Sequence, residues 1–259
     1  PGVQITEIND AQGLFELDQA LWSVLEPSPG RPAYSHIAFT SKNGICATVQ
    51  RLVHLAGGLS EVVEAINDSN VQLCALGADG QVLESLGLPV HVSPAEASTQ
   101  GLVKELVKRG EVLGARVLCP VPRVTGGLIE PFVVPRFLDA LEREGAFTVR
   151  ADAYITSPGS EAVDAKPEAE LLRDGHVHAI VFSSTAEAQG FILALGGRNV
   201  VTESVKRHSV VLAAHGPYTA AGASQILGLP IECVSKDFRT FDGLVAALED
   251  AFRKRASAT

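Results

Sequence analysis

The chain repeats one pattern of strands, hydroxyl residues and helices. Residues 34–103 and 176–245 each start with a buried apolar run that ends in hydroxyl side chains, and each continues through glycine-closed runs in the same order. The shared landmarks are Phe39-Thr40-Ser41 and Phe182-Ser183-Ser184, Gly77 and Gly216, and Leu86-Gly87-Leu88-Pro89 and Leu227-Gly228-Leu229-Pro230. Two copies of one α/β unit predict two similar domains, with a ligand cleft between them.

The apolar runs indicate parallel strands. Residues 115–119, 179–182 and 210–214 are apolar without polar alternation, as in a sheet that helices cover on both faces. Helical patterns alternate with them, and the predicted helices are 13–25, 45–55, 101–109, 135–145, 187–195, 219–227 and 241–254. This alternation predicts an α/β fold with doubly wound, mainly parallel sheets. In each copy we expect a third strand after the Leu-Gly-Leu-Pro sequence.

Segment 147–157 breaks the alternation and predicts an extended linker that pairs with residues 3–8. One domain is then predicted at 10–150. The other is discontinuous and takes 1–8 plus 156–259. The Pro- and Gly-rich segment Pro120–Pro135 is predicted as a long loop at the end of a strand.

Charge and cysteine content narrow the functional classes. A net charge of −9 argues against nucleic acid or an anionic membrane as the main partner, because both favour a basic surface. The four cysteines stand far apart, with no pair at metal-ligand spacing, and we interpret them as buried free thiols of a reducing compartment.

Small hydroxyl residues follow the predicted strands and begin the predicted helices. Backbone amides and hydroxyls at helix starts bind anions without any net positive charge, which predicts a site for a multiply anionic ligand. The alternative is that each serine or threonine only caps its own helix. We expect this ligand site to be lined by Thr40, Ser41, Ser183, Ser184, Thr185, Gly216, Tyr218 and Thr219.

The sequence lacks the motifs of several common types of functional site. The sequence has neither a G-x-G-x-x-G turn nor a GxxxxGK[ST] loop, and no nucleophile stands beside an evident base. His176 and His178 lie on one side of a strand, but a third metal ligand is not identifiable. His215 ends a strand, where it is either a hydrogen-bond donor to a ligand or a locally satisfied side chain. The sequence therefore predicts no cofactor and no metal.

In the order and spacing of its motifs, the chain resembles the uroporphyrinogen-III synthase family. The resemblance covers nearly the whole chain. The matching segments are Ile37-Ala38-Phe39-Thr40-Ser41-Lys42-Asn43-Gly44, Tyr154-Ile155-Thr156, Val181-Phe182-Ser183-Ser184 and Ala214-His215-Gly216-Pro217-Tyr218-Thr219-Ala220. The last of these resembles the family's Gly-Pro-x-Thr-Ala signature.

The resemblance implies two Rossmann-like domains joined by a two-stranded linker, and a reaction that cyclises hydroxymethylbilane to uroporphyrinogen III with loss of water and inversion of ring D. By position it implies that Tyr154 is the tyrosine that helps the hydroxyl leave. It also implies that Thr219 and Thr185 are substrate-binding hydroxyls. The substrate is a small polycarboxylate, and no cofactor is implied.

The sequence also departs from the family pattern. The family's first strand and helix, with an early Thr-Arg pair, are expected to be missing before Val3, and Gly80 stands where threonine is frequent. Pro120–Pro135 replaces a shorter Arg-containing loop, for which Arg123 or Arg136 can substitute. A non-catalytic paralogue that binds tetrapyrroles therefore stays open as the alternative. We expect a monomer that contacts neither nucleic acid nor membrane, in the cytoplasm or alternatively in the plastid stroma.

Overall fold

The computed structural model describes residues 2–130, 132–159, 164–237 and 240–258. For residue 258 it describes the backbone alone. The chain divides into two compact units. The first-copy unit comprises Thr6–Arg123 and Val133–Ile155, and the second-copy unit comprises Pro1–Ile5, Val124–Phe132 and Thr156–Thr259. The two predicted α/β domains, 10–150 and 1–8 plus 156–259, stay a prediction.

The chain alternates strands and helices along nearly its whole length. In chain order the elements are β1 (Val3–Glu7), α1 (Ala11–Leu25), β2 (His36–Ala38), α2 (Lys42–Ala56), α3 (Leu59–Asp68), β3 (Gln72–Cys74), α4 (Gly80–Ser85), α5 (Thr99–Arg109), β4 (Arg116–Val124), α6 (Val134–Arg143), β5 (Phe147–Pro158), α7 (Lys166–Arg173), β6 (Ala179–Phe182), α8 (Thr185–Ala194), α9 (Arg198–Arg207), β7 (Val211–Ala214), α10 (Pro217–Leu227), β8 (Cys233–Val234) and α11 (Asp242–Ala258). All seven predicted helices are present, with ends shifted by a few residues.

Two separate sheets form, and the α/β fold with mainly parallel strands is confirmed. The first has the order β1-β5-β4-β2-β3, and β2 runs parallel to both β3 and β4. The second has the order β6-β7-β8, and all its pairs are parallel. The predicted pairing of the 3–8 and 147–157 segments is also observed, since β1 and β5 are neighbours. Because β5 also pairs with β4, this ladder is one side of the five-stranded sheet.

Helices cover both faces of each sheet. In β2, Ile37 belongs to one core cluster with residues of α1 and α2, whereas the next residue, Ala38, belongs to another with residues of α5 and α6. In the second sheet, Leu212 and Val211 divide in the same way between two clusters. Adjacent strand residues point to opposite faces, so apolar runs without alternation are what a two-sided core requires.

Four helices were not predicted: α3, α4, α7 and α9. Helix α7 buries Leu172, and α9 buries Val201, Ser204 and Val205. With ten residues each, α3 and α9 are as long as the predicted α6 and α8.

The prediction of a loop over the whole of Pro120–Pro135 was wrong. Strand β4 continues through Pro120 and Pro122 to Val124. Proline lacks the amide that a central strand needs, but β2 pairs only with Val117 and Leu118, so that side of β4 has no partner strand at Pro120. Pro131 lies outside the described residues.

The expected third strand exists in only one copy. In the second copy, β8 pairs with β7, whereas the first copy has only an isolated bridge between Cys74 and Val92.

The prediction that all four cysteines are buried also needs a correction. All four are free thiols, but Cys46 is exposed on α2 because its position in the helix faces away from the core. Cys74, Cys119 and Cys233 are buried.

Candidate functional site

The start of α2 brings together two of the predicted site residues. Ser41 is the N-cap, and its Oγ accepts a hydrogen bond from the Gly44 amide at 3.1 Å. The same Oγ lies 3.0 Å from the phenol oxygen of Tyr154, a β5 residue whose side chain is 6% exposed. Thr40, directly before the cap, is half-buried. Thr40, Ser41 and Tyr154 all belong to the first-copy unit.

Gly44 allows this close approach. A Cβ atom there would lie 3.1 Å from the carbonyl oxygen of Pro120, 3.4 Å from Ser41 Oγ and 3.9 Å from Tyr154 Cε1. Any side chain at residue 44 would therefore press on β4 and on the Ser41–Tyr154 pair. The first turn of α2 has no acidic residue, and the exposed Lys42 opens it. The result is a helix start that offers a phenol, an ammonium group and backbone amides as donors.

The start of α8 is also capped by a serine, as at α2, but its side chains make different contacts. Ser184 is the N-cap, and with Glu187 it forms a reciprocal capping box. The Glu187 carboxylate accepts from the Ser183 amide at 2.6 Å, from Ser183 Oγ at 2.7 Å and from the Ser184 amide at 3.3 Å. Both predicted serines are thus hydrogen-bonded within their own helix start, as the capping alternative describes.

Thr185 is buried between two helices. Its side chain is 2% exposed, and its Oγ1 has no hydrogen-bond partner among the described residues. A Cβ atom on Gly222 of α10 would lie 2.4 Å from that oxygen. Thr185 therefore packs α8 closely against α10, which favours a packing role over contact with a ligand.

The start of α10 has no side-chain cap, unlike the starts of α2 and α8. Gly216 is the N-cap in an extended conformation with φ 177°, and Pro217 opens the helix. Thr219 Oγ1 donates to the Ser183 carbonyl at 3.4 Å. Gly216, Tyr218 and Thr219 are half-buried, and the first turn of this helix contains no acidic residue. Just before it, the His215 ring stacks on Phe241 with 4.5 Å between centroids.

Two other helix starts hold a carboxylate of the chain itself. At α1, Asp10 Oδ1 accepts from the Gly13 amide at 2.8 Å while Arg123 binds the other oxygen, and the Arg123 hydrogen bond lowers the Asp10 pKa. At α5, the cap residue Ser98 donates to Glu96 at 2.6 Å, which is the main reason that the Glu96 pKa is lowered. Arg123, a proposed substitute for the family's loop arginine, is therefore already paired.

Gly44, Glu187 and the Asp10–Arg123 pair were not predicted from the sequence as parts of this chemistry. Ser184 and Glu187 stand at the S/T-x-x-E spacing of a capping box, so that motif was visible in the sequence. Nothing local shows that Gly44 faces Tyr154, which lies on a distant strand.

Among the described residues, no group of three or more His, Cys, Asp or Glu side chains is arranged to hold a metal ion.

In the part of the chain that the structure describes, no helix combines the length and the apolar character needed to cross a membrane.

Comparison with known proteins gives a consistent result. A family model described as Uroporphyrinogen-III synthase HemD matches residues 7–246. Curated proteins gave no match. Among solved structures, a mutant uroporphyrinogen III synthase from the extreme thermophile Thermus thermophilus is similar at 17% identity and a TM-score of 0.56, over 96% of this chain and 87% of that one. The wild-type enzyme of the same organism is similar at 16% identity and a TM-score of 0.47, over 98% of this chain and 86% of that one.

Proposed function

The chain belongs to the uroporphyrinogen-III synthase family, and we propose that it cyclises hydroxymethylbilane to uroporphyrinogen III with loss of water and inversion of ring D. The family implies a small-molecule tetrapyrrole substrate and a place in tetrapyrrole and heme biosynthesis. The finer proposal is a lyase that acts as a monomer without a cofactor, in the cytoplasm or the plastid stroma, and that also serves chlorophyll biosynthesis where that pathway exists.

The observation that carries the proposal is the contact between Tyr154 and Ser41 at the start of α2. Either hydroxyl can donate in this contact, while Ser41 Oγ also accepts from the Gly44 amide. In the proposed reaction Ser41 donates to the phenol oxygen, and the phenol donates to the substrate's hydroxyl as it leaves. In this arrangement Ser41 orients the phenol and Tyr154 acts as the acid.

The chemistry demands little else of the protein. The pyrrole nitrogen lone pair expels the hydroxyl, which takes the Tyr154 proton and leaves as water, and an azafulvene cation remains. The substituted carbon of ring D attacks this cation and forms a spiro intermediate. The bond between that carbon and its original methylene bridge then breaks, and the methylene bonds to the unsubstituted α-carbon of the same ring. Loss of the proton from that carbon restores the phenol. Selectivity for this attack over direct closure comes from how the bilane is held.

The substrate's carboxylates need donors without competing acids. The starts of α2 and α10 meet this requirement, and we assign carboxylate binding to Thr40, Lys42, Gly216, Tyr218 and Thr219. Ser183 and Ser184 serve the capping of α8, and Thr185 serves packing against Gly222; direct substrate contact by these three was the sequence prediction, and their local contacts argue against it.

One observation favours the alternative of a non-catalytic, tetrapyrrole-binding paralogue. Three helix starts hold the chain's own carboxylates, and Arg123 is paired with Asp10, so fewer donors are available to an octacarboxylate. A binding protein needs fewer contacts than an enzyme that must fold the whole bilane.

A coupled assay separates the two functions. Hydroxymethylbilane is supplied enzymatically, and the type III and type I products are resolved by chromatography after oxidation. Formation of type III in excess of the spontaneous type I product supports the synthase. Saturable binding of uroporphyrinogen with only type I product supports the paralogue and refutes the proposed reaction.

A further inference from the structure

We propose that a cavity in the first-copy unit binds a small zwitterion with an apolar body, of the ω-amino carboxylate class. The cavity lies between α1, α2, the end of β1 and β5, and none of its lining residues is assigned above to hydroxymethylbilane. The proposal therefore goes beyond the proposed function and does not depend on it.

The size and apolar wall of the cavity limit what it can hold. Its volume is about 170 Å³, well above the space that one water molecule needs and below the roughly 300–1,000 Å³ of cavities that hold drug-sized molecules. The apolar part of its wall includes the buried side chains of Ile8, Leu17 and Ala153. A wall of this kind favours a short methylene chain over a further polar group.

A polar face of α2 forms another part of the wall. Ala47, Gln50, Arg51 and His54 line the cavity, and their spacing of three and four residues places them on a single face of the helix. This face is separate from the one that α2 buries in the core. A polar helix face is usually only solvated, but this one shares a cavity with buried apolar side chains.

Arg51 supplies an ordered cationic group. Its Nε and Nη2 donate to the two carboxylate oxygens of Asp18 on α1 at 2.6 and 2.7 Å, and the two side chains are 23% and 22% exposed. Because a guanidinium has five N–H groups, three of those on Arg51 have no hydrogen-bond partner among the described residues. Held in this bidentate geometry, the guanidinium can donate to a ligand carboxylate with little further loss of side-chain freedom.

Glu7 supplies the opposite charge. Its carboxylate accepts from the neutral amide of Gln50 at 2.8 Å, and within the described ranges of the chain it makes no ion pair. A ligand ammonium group would supply the missing countercharge. A simple anion would be repelled by Glu7, and a simple cation would leave the remaining N–H groups of Arg51 unused.

The two charged groups lie at different places along α1. Glu7 precedes this helix, which begins at Ala11. Asp18, the partner of Arg51, lies seven residues after that start, or about 10 Å along the helix axis. A ligand that reaches both groups needs its ammonium and its carboxylate at opposite ends of the molecule. An ω-amino carboxylate has this form, whereas an α-amino acid carries both charges at one end.

The test is isothermal titration calorimetry with ε-aminocaproate, caproate and hexylamine. The last two probes keep the carbon chain, and each lacks one of the two charges. The proteins are wild type, Glu7→Gln, Arg51→Lys and, as the matched control, Glu84→Gln at an exposed position of the same unit. Glu7 is exposed, so its variant stays informative if Arg51→Lys is poorly folded.

We expect wild type and Glu84→Gln to bind ε-aminocaproate about tenfold more tightly than caproate or hexylamine. Glu7→Gln should bind ε-aminocaproate and caproate equally, because the countercharge for the ammonium group is gone. Arg51→Lys should bind ε-aminocaproate about tenfold more weakly than wild type and hexylamine equally well, since lysine does not offer the same fork of donors.

Three results would overturn the inference: no binding of ε-aminocaproate, no preference of wild type for the zwitterion, or a preference that Glu7→Gln keeps. The product assay plays no part in this test, so failure of either proposal leaves the other standing.

Discussion

The starts of α2 and α8 occupy the same place in the two copies of the repeat and differ in what they present. Both follow a parallel strand and begin at a capping serine, Ser41 or Ser184. One holds a buried phenol against the cap, and the other holds a carboxylate of its own helix. The comparison teaches that the same backbone arrangement, a helix capped by serine after a parallel strand, carries different side-chain contacts in the two copies, and that the residue three places after the cap, Gly44 or Glu187, is one source of the difference.

The largest expected effect lies on the α2 side. Tyr154→Phe should lower kcat and kcat/KM for type III formation together by about 100-fold, because a proton donor aimed at the leaving hydroxyl acts mainly in the transition state. Binding of uroporphyrin III should change little. Tyr34→Phe is the control, since it removes another buried phenol of the same unit, one whose ring faces Arg116. Unchanged type III formation in Tyr154→Phe would make Tyr154 a structural residue.

The next prediction transfers the α8 arrangement to α2. Gly44→Glu should reduce turnover about tenfold beyond the loss in Gly44→Ala, because a carboxylate there competes with the substrate's carboxylates for the helix start. The alanine variant measures the steric part, since its Cβ would lie 3.1 Å from the Pro120 carbonyl. Equal activities of the two variants would show that only space, and not charge, matters at residue 44.

The two cap serines should behave alike in stability and differ in catalysis. Ser41→Ala and Ser184→Ala should each lower the free energy of unfolding by about 1 kcal/mol, the usual cost of a lost N-cap, as measured in urea. Turnover should fall only in Ser41→Ala, whose hydroxyl also contacts Tyr154. Ser60→Ala, an exposed serine within α3, controls for the substitution itself. A similar loss of turnover in Ser184→Ala would show that α8 also takes part in the reaction.

The smallest expected effect concerns His36, the first residue of β2. His36 is 3% exposed, and burial lowers its pKa below the ordinary 6.5 even though Glu111 lies 3.6 Å from Nε2; Arg109 and His91 also face it. The unfolded chain therefore takes up a proton near pH 6.5 while the folded chain does not. Stability should fall as the pH drops from about 6.5 towards the folded pKa.

Urea titrations at several pH values measure this slope. His36→Gln should flatten it. An unaltered slope in His36→Gln would assign the pH dependence to other groups.

Local patterns in the sequence predicted most strands, seven of the helices and the capping serines. These features depend on residues that lie close together in the chain, so their periodicity can be recognised without the structure. Local patterns could not predict that Ser41 meets Tyr154, because that contact depends on how β5 lies relative to the start of α2. Thr185 shows the same limit. That its hydroxyl binds a ligand stays a prediction, and its burial against Gly222 of α10 was not visible in the local sequence. The Ser184–Glu187 capping box could be recognised from its spacing in the sequence. Ser184 was nevertheless predicted to bind an anionic ligand.

The uneven burial of the four thiols has a practical consequence. Burial raises the pKa of the Cys74 thiol to about 12 and that of Cys119 even further, so neither forms a reactive thiolate near neutral pH. Cys46 alone is exposed, and it lies on α2 about one turn beyond Ser41. A maleimide dye or a nitroxide can therefore be attached at a single native position without any engineered cysteine. Such a label would report bilane binding at this helix from the natural sequence.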